Sequence, residues 1–365
     1  MKKKNRSTEP EKRLNEFKQN MPVQLEMFAT FGQEYSRSIE LYDAIPKFFR
    51  GKSVKRIEGQ YLKARDISFS FRGVMYNATI SPARIIKKDS SGNIISEKDY
   101  HPGKKEEIVE EVLKKMACSG KGVFLEDNKT NYLGVLFSLY EVQKELLAVG
   151  KSYNIPDIKE AILINNKANI TLVEASRLND PIISESLFPT IGLTPKNKKG
   201  DQKAWVRFNS LVTKSVLTKT FRSYNYSVSM SITGDLATYV FKRISHVYIY
   251  AAPNKPYSIN MSTLLNEGGF SIQPGIKHNE RTVDRNLDEL LKRDILTRYS
   301  KEELFIEGKK KPYDIKYHLF PHSSFWKEMK KFNALDPDLK IDSKNGNNID
   351  LNAELKSIYG RLNKK

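Results

Sequence analysis

Residues 277–296 read KHNERTVDRNLDELLKRDIL and decide the fold of the region around them. Apolar residues recur here at helical spacing, namely Val283, Leu287, Leu290 and Leu291. They fall on one side of an α-helix, for which Asn279 is the predicted N-cap. The other side carries charged residues, namely Arg281, Arg285, Asp288 and Lys292. A helix that buries one stripe and presents arginines on the other fits a DNA major groove. The alternative is an amphipathic surface helix with solvated charges.

The segments on either side of residues 277–296 favour the DNA-binding interpretation over the surface helix. A helical pattern covers residues 232–250 and ends before Pro253. An alternating strand pattern at 257–261 follows, and Ser262 is the predicted cap of a short helix that Gly268 and Gly269 end. Strand patterns flank a basic turn at 308–312. The order of helix, strand, helix, helix and hairpin predicts a winged helix, with lysines at the tip of its wing.

The same order of elements occurs earlier in the chain. A helical pattern at 104–116 precedes a short strand at 133–137, and Ser138 with Glu141 forms a predicted capping box. A helix at 156–166 and a hairpin at 168–188 follow. The offset between the two copies is nearly constant, although their residues are not alike. The sequence therefore predicts an α+β fold of two tandem winged-helix domains, the first enlarged by strands at 54–80.

Composition indicates the class of partner. The chain has 365 residues with 62 Lys and Arg against 43 Asp and Glu, which gives a formal net charge of +19. Such a surplus points to a polyanion, with nucleic acid ahead of an anionic membrane surface. A genome whose codon bias favours Lys and Asn is the competing explanation. The single Cys118 excludes an internal disulfide, and no apolar run approaches the roughly 18 residues of a membrane span. No secretory signal is evident at residues 1–22, so we expect a soluble cytoplasmic protein.

Residues 196–222 form the most basic stretch of the chain. They hold one acid, Asp201, against eight bases, which are Lys196, Lys198, Lys199, Lys203, Arg207, Lys214, Lys219 and Arg222. Contacts to a phosphate backbone and a solvated loop with two packed elements are equally good interpretations.

The sequence contains no complete motif for the catalytic sites considered. Gly150-Lys151-Ser152 lacks the first glycine of a phosphate-binding loop, because Glu145 stands there. No pair of histidines separated by one residue exists for a metal-dependent nicking site. His318 and His322 have a helical zinc spacing but lie on a predicted strand that contains Pro321. The carboxylates at 106–111 are expected on a solvated helix face. We therefore expect neither an enzyme, nor a metal, nor a cofactor.

At this point the chain resembles a known family, the iteron-binding plasmid replication initiators. The residues that carry the resemblance are Phe221–Tyr250, with Met230-Ser231 leading into a helix that ends in Phe241-Lys242-Arg243-Ile244-Ser245, and the module at 257–320. Leu41-Tyr42-Asp43-Ala44-Ile45-Pro46 is similar to the beginning of the first domain in a broad-host-range subgroup. The long β-rich segment at 54–80 departs from the family pattern.

The resemblance implies a function and a domain organisation. Such initiators bind repeated double-stranded DNA sites at an origin, help open adjacent AT-rich DNA, and recruit the host initiator and helicase. The second winged helix reads one end of the repeat, and the first contacts the other end or mediates a homodimer. We predict a disordered basic tail at 1–40, a first winged-helix domain at 41–218, a second at 219–333 and a loose tail at 334–365.

Specific residues are predicted to contact DNA. For base edges they are Arg281, Thr282, Arg285 and Asp288. For the backbone they are Lys277, His278, Lys292, Lys309, Lys310, Lys311, Lys219, Arg222, Lys159 and Lys167, with Asn165 and Asn166 as weaker candidates. Three rival functions stay open: a transcriptional regulator that binds an operator, an enzyme such as a primase or relaxase, and an RNA-binding protein. An effector pocket would favour the regulator.

Overall fold

The computed structural model describes residues 28, 34–50, 56–58, 61–127, 130–195, 202–218 and 220–335. Over these residues the chain is a mixed α+β fold with several small sheets, so the predicted α+β class is confirmed. The features predicted at residues 1–22, at 196–201, at Lys219 and at 336–365 lie outside the described residues.

Strands and helices alternate along the chain. The strands of the first half are β1 (Tyr35–Ile39), β2 (Arg56–Glu58), β3 (Arg65–Phe71), β4 (Val74–Ser81), β5 (Ala83–Lys88), β6 (Ile94–Tyr100), β7 (Gly122–Asp127), β8 (Thr130–Ser138), β9 (Asn169–Glu174), β10 (Pro181–Ser186), β11 (Thr190–Leu193) and β12 (Lys203–Arg207). The helices of that half are α1 (Glu40–Ala44), α2 (Lys104–Met116), α3 (Leu139–Ala148) and α4 (Ile155–Lys167), with a wide π turn at Ala117–Lys121.

The second half begins with a helix. Its helices are α5 (Ser210–Leu217), α6 (Tyr226–Ser231), α7 (Asp235–Val247), α8 (Met261–Glu267), α9 (Ile276–Lys292) and α10 (Ser323–Leu335). Its strands are β13 (Phe221–Asn225), β14 (Tyr257–Asn260), β15 (Leu296–Leu304) and β16 (Asp314–Pro321).

The module at 257–321 has the predicted elements in the predicted order. Strand β14 leads into α8 and α9, and β15 and β16 form the hairpin. Strand β16 pairs with both β14 and β15, which closes a three-stranded antiparallel sheet. Helix α9 contacts both β15 of this sheet and helix α7, and its residues Val283, Leu287 and Leu290 are fully buried. The periodicity of the apolar residues in 277–296 was therefore a sufficient guide to this helix.

Three local predictions in this region were wrong. Asn279 is not the N-cap of α9, because the helix begins at Ile276. Its buried side chain instead bonds both main-chain groups of Gln273, which satisfies the loop before the helix. Ser262 is not the cap of α8, since its hydroxyl donates to Asp314. The helix predicted over 232–250 is shorter, because residues 232–234 and 248–250 are non-helical and only α7 (Asp235–Val247) lies in that range.

The first half repeats the element order but not the sheet. Helix α2, strand β8, helices α3 and α4, and the hairpin β9–β10 follow one another, and the capping box of Ser138 with Glu141 is present. Strand β8 pairs with β7 and β12, however, whereas the hairpin pairs with β4. The β-rich segment that departs from the family pattern thus supplies the partner strands of this hairpin. The tandem arrangement stays a prediction.

The end of the predicted N-terminal tail is ordered. Tyr35–Ile39 is strand β1, which pairs with β13 over its whole length, and Ile39 is fully buried. The boundary of the disordered tail at residue 40 was therefore wrong. Its polar, charged composition hid a short strand whose partner lies far along the chain.

The acidic run on α2 was expected on a solvated face, and this was also wrong. Glu106, Glu107, Glu110 and Glu111 are all buried, with at most 4% of each residue exposed. Cations from other elements reach three of them, Lys47 at Glu110, Arg50 at Glu107, and Lys242 at Glu107 and Glu111, and α2 adds its own Lys114. Lys114 reaches Glu111 at 2.7 Å and Asp43 of α1 at 2.9 Å. Buried carboxylates require such partners, because an unpaired charge in a protein interior is strongly unfavourable.

Burial of His101 predicts an acid-sensitive fold. His101 is 4% exposed, and its ring packs edge-on against Phe49 with 5.1 Å between the ring centroids. Burial is the main cause and the Arg65 guanidinium the second cause that lower its pKa to about 4. The unfolded chain then binds a proton first as the pH falls, because its histidine titrates near 6.5. We expect the contribution of His101 to the free energy of unfolding to be fully present above pH 6.5. As the pH falls toward 4, this contribution should decrease by on the order of 2 kcal/mol. Urea titrations of the wild type and of His101→Gln at pH 7 and 4.5 measure this, and equal pH dependence in both proteins would contradict it.

Candidate nucleic-acid interface

Two polar side chains fix helix α9 against the start of α7. Asn286 accepts from the amide of Ala237 at 3.1 Å and donates to the carbonyl of Thr282 at 2.8 Å. Glu289 accepts from the amides of Thr233 and Gly234, each at 2.8 Å. These carboxylate and amide oxygens satisfy donors at the beginning of a helix, which would otherwise have no partner. A Cβ at Gly234 would lie 2.6 Å from oxygens of both side chains, so a larger residue there would displace them from these bonds.

The opposite side of α9 is open to solvent. Its exposed residues are Lys277, His278, Arg281, Arg285, Asp288 and Lys292. Arg281, Arg285, Asp288 and Lys292 follow one another at steps of four, three and four, which places them in a single stripe along the helix. Neither Arg281 nor Arg285 forms an ion pair with another described residue. Both guanidinium groups are thus presented outward, where a groove could receive them.

Two of the predicted base-contacting residues have partners inside the protein. The Thr282 hydroxyl donates to the carbonyl of His278 at 3.0 Å, and the side chain is half-buried. Asp288 accepts from the phenol of Tyr299 on β15 at 3.1 Å. Thr282 can therefore offer only an acceptor to a base, and Asp288 retains acceptor capacity on its carboxylate. Their contacts with DNA stay predictions.

The acidic flank of α9 is neutralised by the hairpin. Lys301 on β15 lies 2.7 Å from Glu280 and 2.7 Å from Asp284. The phenol of Tyr317 on β16 also donates to Asp284 at 2.9 Å. Burial and, as the second cause, the charge of Asp284 raise the pKa of Tyr317 well above its usual value, so the phenol keeps its proton. Two carboxylates that would repel a phosphate beside the arginine stripe are thereby held and compensated.

The hairpin β15–β16 extends past this helix as the predicted wing. Gly308 adopts a φ of +77° in its turn, a backbone conformation that favours glycine. Lys309, Lys310 and Lys311 follow and are all exposed. The ammonium groups lie at the end of a hairpin whose base is fixed to α9 by Lys301. This is a suitable position for contacts with a phosphate backbone next to the helix.

The remaining backbone candidates differ in their surroundings. Arg222 is buried on β13 and donates to Asn333 of α10, so its prediction as a phosphate contact was wrong. Lys159 is half-buried on α4, and Lys167 is exposed at the end of that helix. Asn165 and Asn166 donate to the carbonyls of Glu106 and Phe188, which makes both structural. Lys219 lies outside the described residues.

A cavity lies between the two halves of the described chain. Its volume is about 590 Å³, and its walls come from residues 45–48, Arg50, Phe71, Tyr239 and His246, among others. The His246 ring lies 2.7 Å from the Ser38 hydroxyl, and burial lowers its pKa to about 4. The cavity is of the size of small-molecule sites in proteins. No sequence pattern indicated it, because its walls come from segments far apart in the chain.

One group of carboxylates among the described residues has metal-ligand spacing, namely Asp43, Glu110 and Glu111. The ammonium groups of Lys114 and Lys47 already lie among these oxygens. Burial raises the pKa of Glu110, and Tyr42 donates to this side chain. The cluster is therefore explained as a buried ion-pair network. None of the described helices is both long and apolar enough to cross a membrane.

Comparisons with known proteins place this geometry beside two kinds of solved structure. A structure of RctB domains 2-3 is 10% identical, with 80% of this chain and 99% of that chain covered and a TM-score of 0.44. A selenomethionine form of the same two domains is 10% identical, covers 78% and 96%, and has a TM-score of 0.43. The Pi initiator protein in complex with iteron DNA is 14% identical, covers 59% and 91%, and has a TM-score of 0.37.

A solved initiator is thus among the similar structures. That structure is named as a protein of the kind that the sequence resembles. No family model and no curated protein matches the chain. With TM-scores below 0.5, these likenesses do not assign a function by themselves, which leaves the surface around α9 as the basis for one.

Proposed function

We propose that this chain is a non-catalytic initiator of replication that binds repeated double-stranded DNA sites at an origin. In this proposal two tandem winged-helix units bind one repeat, and α9 enters the major groove. The observation that carries it is the exposed stripe of α9, with its flanking carboxylates Glu280 and Asp284 compensated by Lys301. Opening of adjacent AT-rich DNA, recruitment of the host initiator and helicase, and a homodimer complete the proposal on the strength of the family resemblance.

The physical support comes from charge and shape together. The exposed residues of α9 include Lys277, Arg281, Arg285 and Lys292 against the single exposed carboxylate of Asp288. A helix of this kind gains affinity from phosphate neutralisation and specificity from guanidinium contacts to guanine. The lysines of the wing add contacts to a second stretch of backbone.

The decisive experiment is selection of bound sites from a random pool of duplex DNA. Recovery of one motif, present as direct repeats beside the gene and next to an AT-rich segment, supports the initiator. Recovery of no motif, or equal competition by RNA and duplex DNA, overturns it. A motif present once, at a promoter, supports the regulator instead.

Removal of the wing lysines should weaken binding to every sequence alike. Replacement of Lys309, Lys310 and Lys311 with Ala removes three cations, so we expect the slope of log affinity against log salt to become less steep by about 2 to 3. Fluorescence anisotropy over a series of salt concentrations measures the slope. Lys87→Ala/Lys88→Ala, on the hairpin β5–β6, is the control and should leave it unchanged. An unaltered slope in the wing variant would remove the wing from the interface.

The cavity favours a second candidate, a regulator whose operator binding responds to a small molecule. It is bounded by residues 45–48, Arg50 and the β3–β4 turn on one side and by α7 on the other. A ligand there would contact both halves and would shift any equilibrium between their arrangements. A change in affinity for the selected DNA on addition of a cellular metabolite extract would support this candidate.

A further inference from the structure

The end of the wing combines charge with exposed apolar surface. Phe305, Ile306 and Tyr313 are 50%, 46% and 58% exposed, and all three lie beside the lysine turn. The register of the hairpin pairs Leu304 with Asp314, so Phe305 and Tyr313 are the next opposed positions. The Tyr313 amide donates to the Leu304 carbonyl at 2.8 Å, which holds them there. Apolar side chains gathered at an exposed tip, rather than scattered singly, indicate an interaction site.

The direction of the hairpin shows what this tip would meet. Tyr299 contacts Asp288, and Lys301 contacts Asp284 and Glu280, so β15 runs antiparallel to α9 and leaves it at its N-terminal end. Phe305 is four residues beyond Lys301, which at about 3.4 Å per residue is roughly 14 Å of strand. The major groove is about 12 Å wide, so the tip reaches its edge when α9 lies inside it. The neighbouring surface is the minor groove.

We propose that the wing tip inserts Phe305 and Ile306 into the minor groove next to the site read by α9, where they separate a base step and bend the duplex. This rests on the proposed function and adds an action to the same surface. Apolar wedges of this type unstack base steps and kink DNA toward the major groove. The three lysines, against the single Glu307 in the same turn, favour DNA over a protein partner as the occupant.

Insertion predicts a sequence preference at bases that no side chain reads. Pyrimidine–purine steps such as TA unstack most easily, whereas A-tracts are stiff. The wild type should therefore bind a selected site flanked by a TA step about five- to tenfold more tightly than the same site flanked by an A-tract. Phe305→Ala/Ile306→Ala should lose this preference and keep the salt dependence. The wing-lysine variant should keep this preference and show the less steep salt dependence instead.

The test uses duplexes that carry the motif recovered by selection, with 2-aminopurine placed at successive positions of the flank and a dye at each end. Wild-type protein should raise the 2-aminopurine fluorescence at one step and increase energy transfer between the dyes. The apolar double variant should do neither. The single variant Phe305→Leu, which keeps an apolar side chain at this position, should give both signals. Ile95→Ala, which trims an exposed apolar residue on the hairpin β5–β6, is the control and should behave as the wild type.

The outcomes separate this proposal from the proposed function. Specific binding without a change in either signal overturns the wedge and leaves the initiator intact. Signals that persist in the apolar double variant also overturn it, because another part of the protein would then deform the duplex. Failure of the wild type to bind any selected duplex overturns the proposed function, and the wedge falls with it.

Discussion

Replacement of Glu107 with Ala should unfold much of the protein at urea concentrations that the wild type withstands. Both carboxylate oxygens of Glu107 accept from Arg50, at 2.5 and 2.6 Å, and one of them lies 2.9 Å from Lys242 of α7. Burial raises the pKa of this carboxyl, but Arg50 and Lys242 outweigh it, and the net pKa lies well below the usual range. The side chain is therefore an anion held by two cations in the interior.

The size of the effect follows from what remains. Loss of Glu107 leaves the Arg50 guanidinium buried and the Lys242 ammonium largely so, without this counterion, and such a change costs about 3 to 5 kcal/mol. Lys121→Ala is the control, because Lys121 and Glu141 form an exposed pair that is worth at most about 1 kcal/mol. Urea midpoints of the two variants measure the difference.

A further variant tests the cause. If the loss comes from uncompensated charge, replacement of Arg50, Glu107 and Lys242 together with Met should recover much of the stability, because apolar residues can substitute for a buried ion network. A triple variant less stable than Glu107→Ala would show that packing, rather than charge, is what Glu107 supplies.

This network marks a limit of what the sequence could predict. Four glutamates on one helix are usually solvated, and nothing local distinguishes these four. The burial of Glu107 depends on Arg50 and Lys242, which lie 57 and 135 residues away from it in the sequence. Only the tertiary fold brings those cations to α2. The strand at Tyr35–Ile39 was missed for the same reason, since its partner β13 comes almost two hundred residues later.

Features with local causes were predicted well. The period of Val283, Leu287 and Leu290 determined which face of α9 is buried, and therefore which face exposes Arg281 and Arg285. Turn residues and alternating strands located the wing. The ion pairs of Lys301 with Glu280 and Asp284 could not be predicted. They depend on the register between β15 and β16 and on how that sheet lies on α9. The offset between two residues in sequence says nothing about such a register.

Arg285→Ala should reduce binding to the selected site far more than binding to random duplex. Arg285 is exposed in the middle of the α9 stripe and forms no ion pair with another described residue, so its loss should leave the fold intact. A guanidinium that contacts guanine through two donors contributes about 1 to 3 kcal/mol of discrimination, or roughly 5- to 150-fold. The affinity for random duplex should fall only by the contribution of one phosphate contact, which is about two- to threefold near physiological salt.

Arg285→Lys separates charge from geometry at this position. Lysine keeps the positive charge but lacks the planar pair of donors, so it should restore affinity for random duplex while specific affinity stays reduced. Far-ultraviolet circular dichroism and the urea midpoint verify that both variants fold, and anisotropy titrations against selected and random duplexes give the two affinities. Equal losses on both duplexes in Arg285→Ala, or full recovery of specific binding in Arg285→Lys, would show that this arginine supplies charge alone. In that case bases would have to be read elsewhere on the stripe, and Arg281 would be the next residue to replace, since it lies one turn earlier and is equally exposed to solvent.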